Sequence, residues 1–327
     1  MIFGKWHILN KIMCMEKFIK FIEKNSSFII SLGIPLGLLF PQFSIFKPYL
    51  TPLLILILFF TFLRIDIKDI LVVTKRIRLV SAVVIVDLLM IPMFVFAVFK
   101  ILKVENYILT AFLLFSSVPG GVASASITDI LDGDTLFSTA IIILTHIFAP
   151  ITVPFLFYIL LRRVIKIDYL NTAITLVKLI FIPLLMGEIS KKVLKNTIEK
   201  ISSKSKVITT TLILLLGAIV TAVNYNYIMA HPLNALKLTL ISIPIYMFFL
   251  IFTFYLFRDA PLKERISIST TKTFMNATIA VVLAINFLDT KSSLVLTLAQ
   301  IPWSLMVFPA QIFVRLNKNT PGVSGGK

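Results

Sequence analysis

The sequence contains few of the residues from which a metal centre, a disulfide or a catalytic site is usually built. Among 327 residues there are one cysteine, Cys14, and three scattered histidines. A single cysteine excludes an internal disulfide and a multi-cysteine metal site, and the histidines stand at no metal-binding spacing. The sequence also lacks a glycine-rich phosphate loop, a nucleophile elbow and an HExxH motif. We therefore expect neither an enzyme nor an organic cofactor.

Charged residues are also scarce, and acidic residues are the scarcest. Only 14% of the residues are charged, whereas 58% are hydrophobic and the mean hydropathy is +0.99. Soluble domains carry about a quarter charged residues, so a lipid bilayer must cover much of this chain. The net charge of +17 comes from basic residues that cluster in short loops, where they set topology and meet anionic headgroups. This pattern predicts an all-α polytopic membrane protein without a nucleic-acid partner.

About ten membrane-spanning helices fit the apolar runs of the sequence. Residues 1–26 carry isoleucines at helical spacing between lysines, which is typical of an amphipathic helix in the membrane interface. A signal peptide fits less well, because charges interrupt the apolar stretch. The predicted spans cover residues 27–45, 48–64, 78–100, 106–130, 135–161, 171–190, 207–228, 236–257, 267–288 and 292–314.

The distribution of basic residues predicts the orientation of these spans. Arginines and lysines are concentrated in residues 64–78, 191–206 and 258–265, and the first and last segments of the chain are also basic. The positive-inside rule therefore predicts a multi-pass protein of the cell membrane with both termini in the cytoplasm. The loop over 129–134 would be cytoplasmic although it is acidic, and acidic residues count little in this rule.

Recurring prolines indicate an internal repeat. Similar apolar surroundings and a separation of about 150 to 160 residues relate three pairs, namely Pro35 and Pro183, Pro92 and Pro244, and Pro150 and Pro309. Five helices per unit would invert the second unit relative to the first. This predicts repeats over 27–165 and 166–316, followed by a cytoplasmic tail over 317–327. The alternative is that membrane helices simply tolerate proline.

The fourth span carries an unusual number of helix-breaking and hydroxyl residues. Pro119 removes a backbone donor, and Gly120 and Gly121 add no preference for helix. We expect a break there, beside a cavity or buried in protein, because free backbone groups are not tolerated in lipid. A proline kink with close packing of small residues is the simpler alternative.

Two charged residues fall inside predicted spans. Lys272 lies in the ninth span, four residues before Asn276 and on the same helix face, and Asp87 lies in an apolar stretch of the third span. Intramembrane charges are functional hypotheses by default. Lys272 could instead extend its ammonium to the cytoplasmic surface. An unpaired Asp87 must face a cavity, carry a proton or have a partner.

The stretch PGGVASASITDILDGDTLFSTAIIILTHIFAPITVP, residues 119–154, resembles the bile acid:sodium symporter superfamily. The residues that fit its pattern are Pro119, Gly120, Gly121, Ala123, Ser124, Thr128, Gly133, Asp134, Ser138 and Pro150. The resemblance implies ten helices in two inverted five-helix repeats, with helices 4 and 9 broken and crossing. It also implies two sodium ions behind the crossing and an organic anion in front of it.

The chain departs from the family at the positions that hold sodium. Ala125, Ile142, Thr271 and Met275 replace family ligands, and Asp87 stands where the family has a glutamine. Ser124 and Ser138 remain as residual sodium ligands. Because alanine, isoleucine and methionine offer no hard oxygen, we expect reduced or no sodium dependence. Lys272 would replace a bound cation, Asp87 would be its counter-charge, and a proton is the alternative coupling ion.

These observations together predict a secondary active transporter of a small organic anion that works by alternating access. Its solute would be bound by Pro119, Gly120, Gly121, Val122, Ser126, Thr273 and Asn276. Ion coupling would involve Asp87, Ser124, Thr128, Ser138, Thr271 and Lys272. The alternatives are an efflux carrier of the arsenite or auxin type, and a membrane receptor or scaffold that kept the fold without transport. Arsenite chemistry would favour a cysteine in the fourth span, which has none.

Overall fold

The computed structural model describes residue 22 and residues 26–64, 76–161 and 168–318. The amphipathic helix predicted over 1–26 lies almost entirely outside these ranges, as does most of the tail predicted over 317–327. The described residues are nearly all helical. In chain order they form α1 (Ser26–Ser31), α2 (Gly33–Leu39), a 3₁₀-helix (Pro41–Tyr49), α3 (Leu50–Phe62), α4 (Ile77–Ile85), a π-helical turn (Val86–Met90), α5 (Ile91–Ile101), α6 (Asn106–Ser117), α7 (Ala123–Ile130), α8 (Thr135–Leu161), α9 (Tyr169–Val193), α10 (Lys195–Val223), α11 (Tyr225–Ala230), α12 (Pro232–Leu256), α13 (Leu262–Thr273), α14 (Ala277–Phe287), α15 (Thr290–Leu305) and α16 (Val307–Lys318).

Within the described part of the chain, six helices are long and apolar enough to cross a membrane. A seventh span results if α15 and α16, which meet at a bend of 46°, are taken together. The sequence predicted ten. The difference arises at predicted spans 1, 4 and 9: the first is a short apolar helical stretch over Phe28–Leu39, and the other two are each divided into two short helices. The 12 residues of α6, for example, extend about 18 Å, against about 30 Å of hydrocarbon.

The helices form two groups that face each other. In the first group α2 and α3 pack against α10, and α9 packs against α3. Gly33 and Gly37 let α2 approach α10 closely: a Cβ at Gly33 would lie 2.5 Å from the main-chain oxygen of Leu214. In the second group α13 packs against α7, α8 and α12, and every residue from Glu264 to Thr273 is buried. Contacts between α8 and α9 and between α1 and α15 join the groups.

A π-helical turn interrupts the helix that runs from Ile77 to Ile101. Pro92 has no N–H, and in an α-helix its ring would press on the carbonyl of Leu88. The helix widens over Val86–Met90 just before this proline, so that the N–H of Ile91 donates to the oxygen of Val86, five residues earlier. Such turns often lie at functional sites, and this one holds Asp87.

Candidate functional site

Two helix interruptions meet in the middle of the second group. The chain leaves helical geometry between Ser117 and Ala123, and again between Thr273 and Ala277. The Gly121 N–H donates to the oxygen of Phe274 over 2.9 Å, and the Asn276 N–H donates to the oxygen of Pro119 over 2.9 Å. Gly120 and Met275 form a short antiparallel bridge. Backbone groups that each break frees are thereby satisfied by the other break.

Only one of the two adjacent glycines is required by this close approach. A Cβ at Gly121 would lie 2.5 Å from the main-chain oxygen of Phe274, a contact that side chains do not tolerate. A Cβ at Gly120 would first meet the side chain of Ile142 at 3.4 Å, which is ordinary van der Waals contact. Gly121 therefore permits the two interrupted segments to touch, and Gly120 has room for a small side chain.

The second interruption has no proline or glycine, and Asn276 caps the N-terminus of the helix that follows. The side-chain oxygen of Asn276 accepts a hydrogen bond of 3.1 Å from the N–H of Ile279. Asparagine is among the preferred residues at this capping position, because its oxygen satisfies an N–H that the first turn leaves free. The cap explains how α14 can begin at Ala277 without a proline or glycine before it.

A cavity of about 540 Å³ opens in front of the two interruptions, between the two helix groups. One wall consists of the first residues of α7 and α14, around Gly121–Ala123 and Asn276–Thr278. Residues of α1, α3 and α10 also line the cavity, together with residues of α15 and α16. The N-terminal ends of two helices carry partial positive charge, and together they form a favourable environment for an anion.

Two basic side chains also line this cavity. Arg64, directly after α3, donates to the hydroxyl of Ser126 in α7 over 3.4 Å, and Lys206 extends from α10. Sequence reasoning assigned both residues to cytoplasmic loops and did not connect them with the solute. Gln300 and Gln311 were missed as well, although Gln300 is a polar residue inside an apolar run. That contrast was the signal in the sequence that could have identified it.

The residues predicted to bind the solute divide into two sets. Gly121, Val122, Ser126 and Asn276 line the cavity. The other three do not. Pro119 contributes its main-chain oxygen to Asn276, Gly120 donates its N–H to the hydroxyl of Thr145 over 3.2 Å, and the hydroxyl of Thr273 donates to the oxygen of Ser269 over 2.7 Å.

The residues predicted to couple ions are all buried, and none of them lines the cavity. Their hydroxyl groups are engaged with one another or with the main chain. Ser124 donates to the oxygen of Gly121 over 2.5 Å, and Thr128 donates to Ser138 over 3.1 Å. Thr271 donates to main-chain oxygens one turn earlier in α13, at 2.9 Å.

The side chain of Lys272 contacts the main-chain oxygen of Asp87. The Lys272 ammonium donates to the main-chain oxygen of Asp87 over 2.5 Å and to that of Ser116 over 2.8 Å. One carboxylate oxygen of Asp87, Oδ1, is buried without a hydrogen-bond partner among the residues that the structure describes. The ion pairs that form among the described residues do not include these two side chains. The ammonium is thus held by carbonyl oxygens, whereas the sequence pointed to the carboxylate.

A multi-pass helical protein whose two interrupted helices border a largely apolar cavity that Arg64 and Lys206 also line has the architecture of a membrane transporter. The chain belongs to the Sodium Bile acid symporter family, whose model matches residues 51–231, more than half of its length. The resemblance that residues 119–154 carry is thereby confirmed, and the chain is a membrane transporter of the bile acid symporter type. No curated protein matches the sequence.

Proposed function

We propose that the chain is a secondary transporter that moves a small organic anion by alternating access. In this proposal the interrupted helices complete ten spans in two inverted five-helix repeats, with both termini in the cytoplasm of the cell. The two helix groups would tilt against each other and expose the cavity between them to one side of the membrane at a time. The family membership supports transport, and the geometry of the cavity supports the class of solute.

One observation carries the choice of an anion. The cavity of about 540 Å³ combines two helix N-termini with the side chains of Arg64 and Lys206. Helix N-termini favour negative charge, and arginine suits carboxylates because its guanidinium donates two parallel hydrogen bonds. Apolar side chains that include Phe28, Trp303 and Phe308 line much of the remaining surface. The preferred solute would therefore join an acidic group to an apolar body.

The residues behind the crossing do not fit the two sodium ions of the family. Ala125, Ile142 and Met275 bring no side-chain oxygen, and sodium requires hard oxygen ligands. The hydroxyl of Thr271 already donates to main-chain oxygens within α13. This supports transport with reduced or no dependence on sodium.

Binding by the purified protein tests the class of solute. Thermal stability would be measured in detergent with a panel of aliphatic and aromatic carboxylic acids, and with the uncharged amides of the same acids. A ligand at a hundred times its dissociation constant stabilises the folded state by about 2.7 kcal/mol. We expect a rise in melting temperature with one or more acids and none with the matched amides. An equal response to an acid and its amide would contradict an anion site.

Uptake by proteoliposomes then tests transport and its coupling. We expect the stabilising acid to accumulate at similar rates in sodium chloride and in choline chloride. An uptake rate that rises cooperatively with sodium concentration, as expected when two sodium ions bind, would contradict the sodium independence. Binding without uptake would favour a receptor or scaffold on the same fold.

A further inference from the structure

Two prolines leave two main-chain oxygens without the helix donors that would normally use them. In the π-helical turn, the N–H of Ile91 donates to Val86, and the next residue, Pro92, has no N–H to offer Asp87. α6 ends at Ser117, before Pro119, and the N–H of Gly120, which would reach the oxygen of Ser116 in a continued helix, donates to Thr145 instead. The oxygens of Asp87 and Ser116 are therefore available as ligands.

These two oxygens point to one buried position, and the ammonium of Lys272 occupies it. The nitrogen lies 2.5 Å from the oxygen of Asp87 and 2.8 Å from that of Ser116, and it lies 5.6 Å from the ring centre of Phe249. Lys272 is only 1% exposed and Asp87 only 4% exposed. Main-chain oxygens together with a carboxylate are the kind of ligand that a hard metal cation prefers.

We propose that Lys272 is a tethered cation: its ammonium permanently fills an oxygen-lined cation site that two prolines and Asp87 create. The carboxylate of Asp87 provides the negative charge that a buried ammonium requires. The main-chain oxygens hold the ammonium in place, which accounts for the absence of a direct ion pair in the described residues. Free sodium is then excluded, because a covalently attached charge occupies its position at every stage.

The consequence for coupling rests on the proposed transport function, whereas the cation site itself does not. A fixed ammonium cannot cross the membrane with the solute, so the site would stabilise the crossing without supplying a sodium gradient as driving force. Removing the ammonium while leaving its space open should turn the same oxygens into a site for a free cation.

Lys272→Ala tests this with sodium itself as the probe. Purified wild type and variant would be unfolded thermally in sodium chloride and in choline chloride of equal ionic strength. We expect wild type to melt at the same temperature in both salts. Lys272→Ala should be less stable in choline and recover by about 3 °C or more with saturating sodium, because sodium would bind only the folded state.

Two variants serve as matched controls. Lys272→Met removes the charge but keeps an apolar side chain only one atom shorter than lysine, so its terminal methyl group crowds the oxygens and it should respond to sodium less than Lys272→Ala does. Asp87→Asn combined with Lys272→Ala removes the negative charge and should lose the sodium response. If Lys272→Ala unfolds on extraction, its monodisperse recovery by size-exclusion chromatography in the two salts provides the readout, and we expect recovery in sodium only.

Three results would overturn the tethered cation: wild type stabilised by sodium, Lys272→Ala indifferent to sodium, or Lys272→Ala lost equally in both salts. None of these measurements requires the solute. Their failure would therefore leave the anion-binding result intact, and a failure to bind organic acids would leave the cation site intact.

Discussion

Arg64 and Lys206 illustrate how a residue's role depends on neighbours that are distant in the chain. Arg64 follows an apolar run and Lys206 precedes one, which is where basic residues usually set the topology of a membrane protein. Both nevertheless line the cavity together with Gly121 and Asn276. Arg64→Gln should weaken binding of the stabilising acid about tenfold, a loss of about 1.4 kcal/mol, because a charge-assisted contact is lost. Lys206→Gln should act in the same direction. Titration of the acid against the melting temperature of each variant measures the change.

Lys237 provides the control for these substitutions. It is exposed near the start of α12 and does not line the cavity, so Lys237→Gln removes the same net charge at a different place. Its affinity for the acid should equal that of wild type. Equal losses in all three variants would mean that the overall positive charge, and not the cavity, attracts the solute.

At the scale of elements, the contact between the two interrupted segments depends on Gly121. Gly121→Ala places a methyl group against the main chain of Phe274, and overpacking of this kind costs about 1 to 3 kcal/mol. The hydrogen bonds between Gly121 and Phe274 and between Asn276 and Pro119 would lengthen together. We expect a lower melting temperature and a loss of solute binding, because the displaced segments form one wall of the cavity.

The neighbouring glycine is the matched control at this scale. Gly120→Ala meets its first atoms at ordinary contact distance, so its stability should stay within about 1 kcal/mol of wild type. A variant at position 120 that is as unstable as the one at 121 would show that the glycines serve backbone flexibility, and not the close approach.

At the scale of the whole molecule, the basic loops predict which side of the membrane each loop faces. The loop over 129–134 is acidic, yet its predicted side is cytoplasmic. Lys318, at the end of α16, donates a hydrogen bond of 2.7 Å to the carboxylate of Asp132 and lowers the pKa of that carboxyl. This contact brings the loop beside the C-terminal segment, whose predicted side is also cytoplasmic.

Cysteine labelling tests that orientation. In a Cys14→Ala background, Asp132→Cys should react with a membrane-impermeant maleimide only after the cells are permeabilised, whereas Glu105→Cys should react in intact cells. Both positions are exposed in short connections between helices. Reaction of both variants from the same side would contradict ten spans with cytoplasmic termini.

Composition and local chemistry by themselves determine several features of this protein. The scarcity of charge and the long apolar runs require lipid, because that much apolar surface cannot be buried by 327 residues alone. The prolines at positions 92 and 119 and the glycines after the second one act on their own turns, so they mark where regular hydrogen bonding fails. The motif over 119–154 was specific enough to identify the family.

What the tertiary structure alone decided is how residues far apart in the chain combine. Lys272 bonds to oxygens 185 and 156 positions away, and its choice of carbonyl oxygens over the carboxylate depends on how the π-helical turn and the end of α6 face α13. The joining of Arg64 and Lys206 to the helix ends likewise depends on packing between the two groups. Local sequence determines which backbone groups are free, because proline and glycine act on their own turn. Only packing determines which partner reaches them.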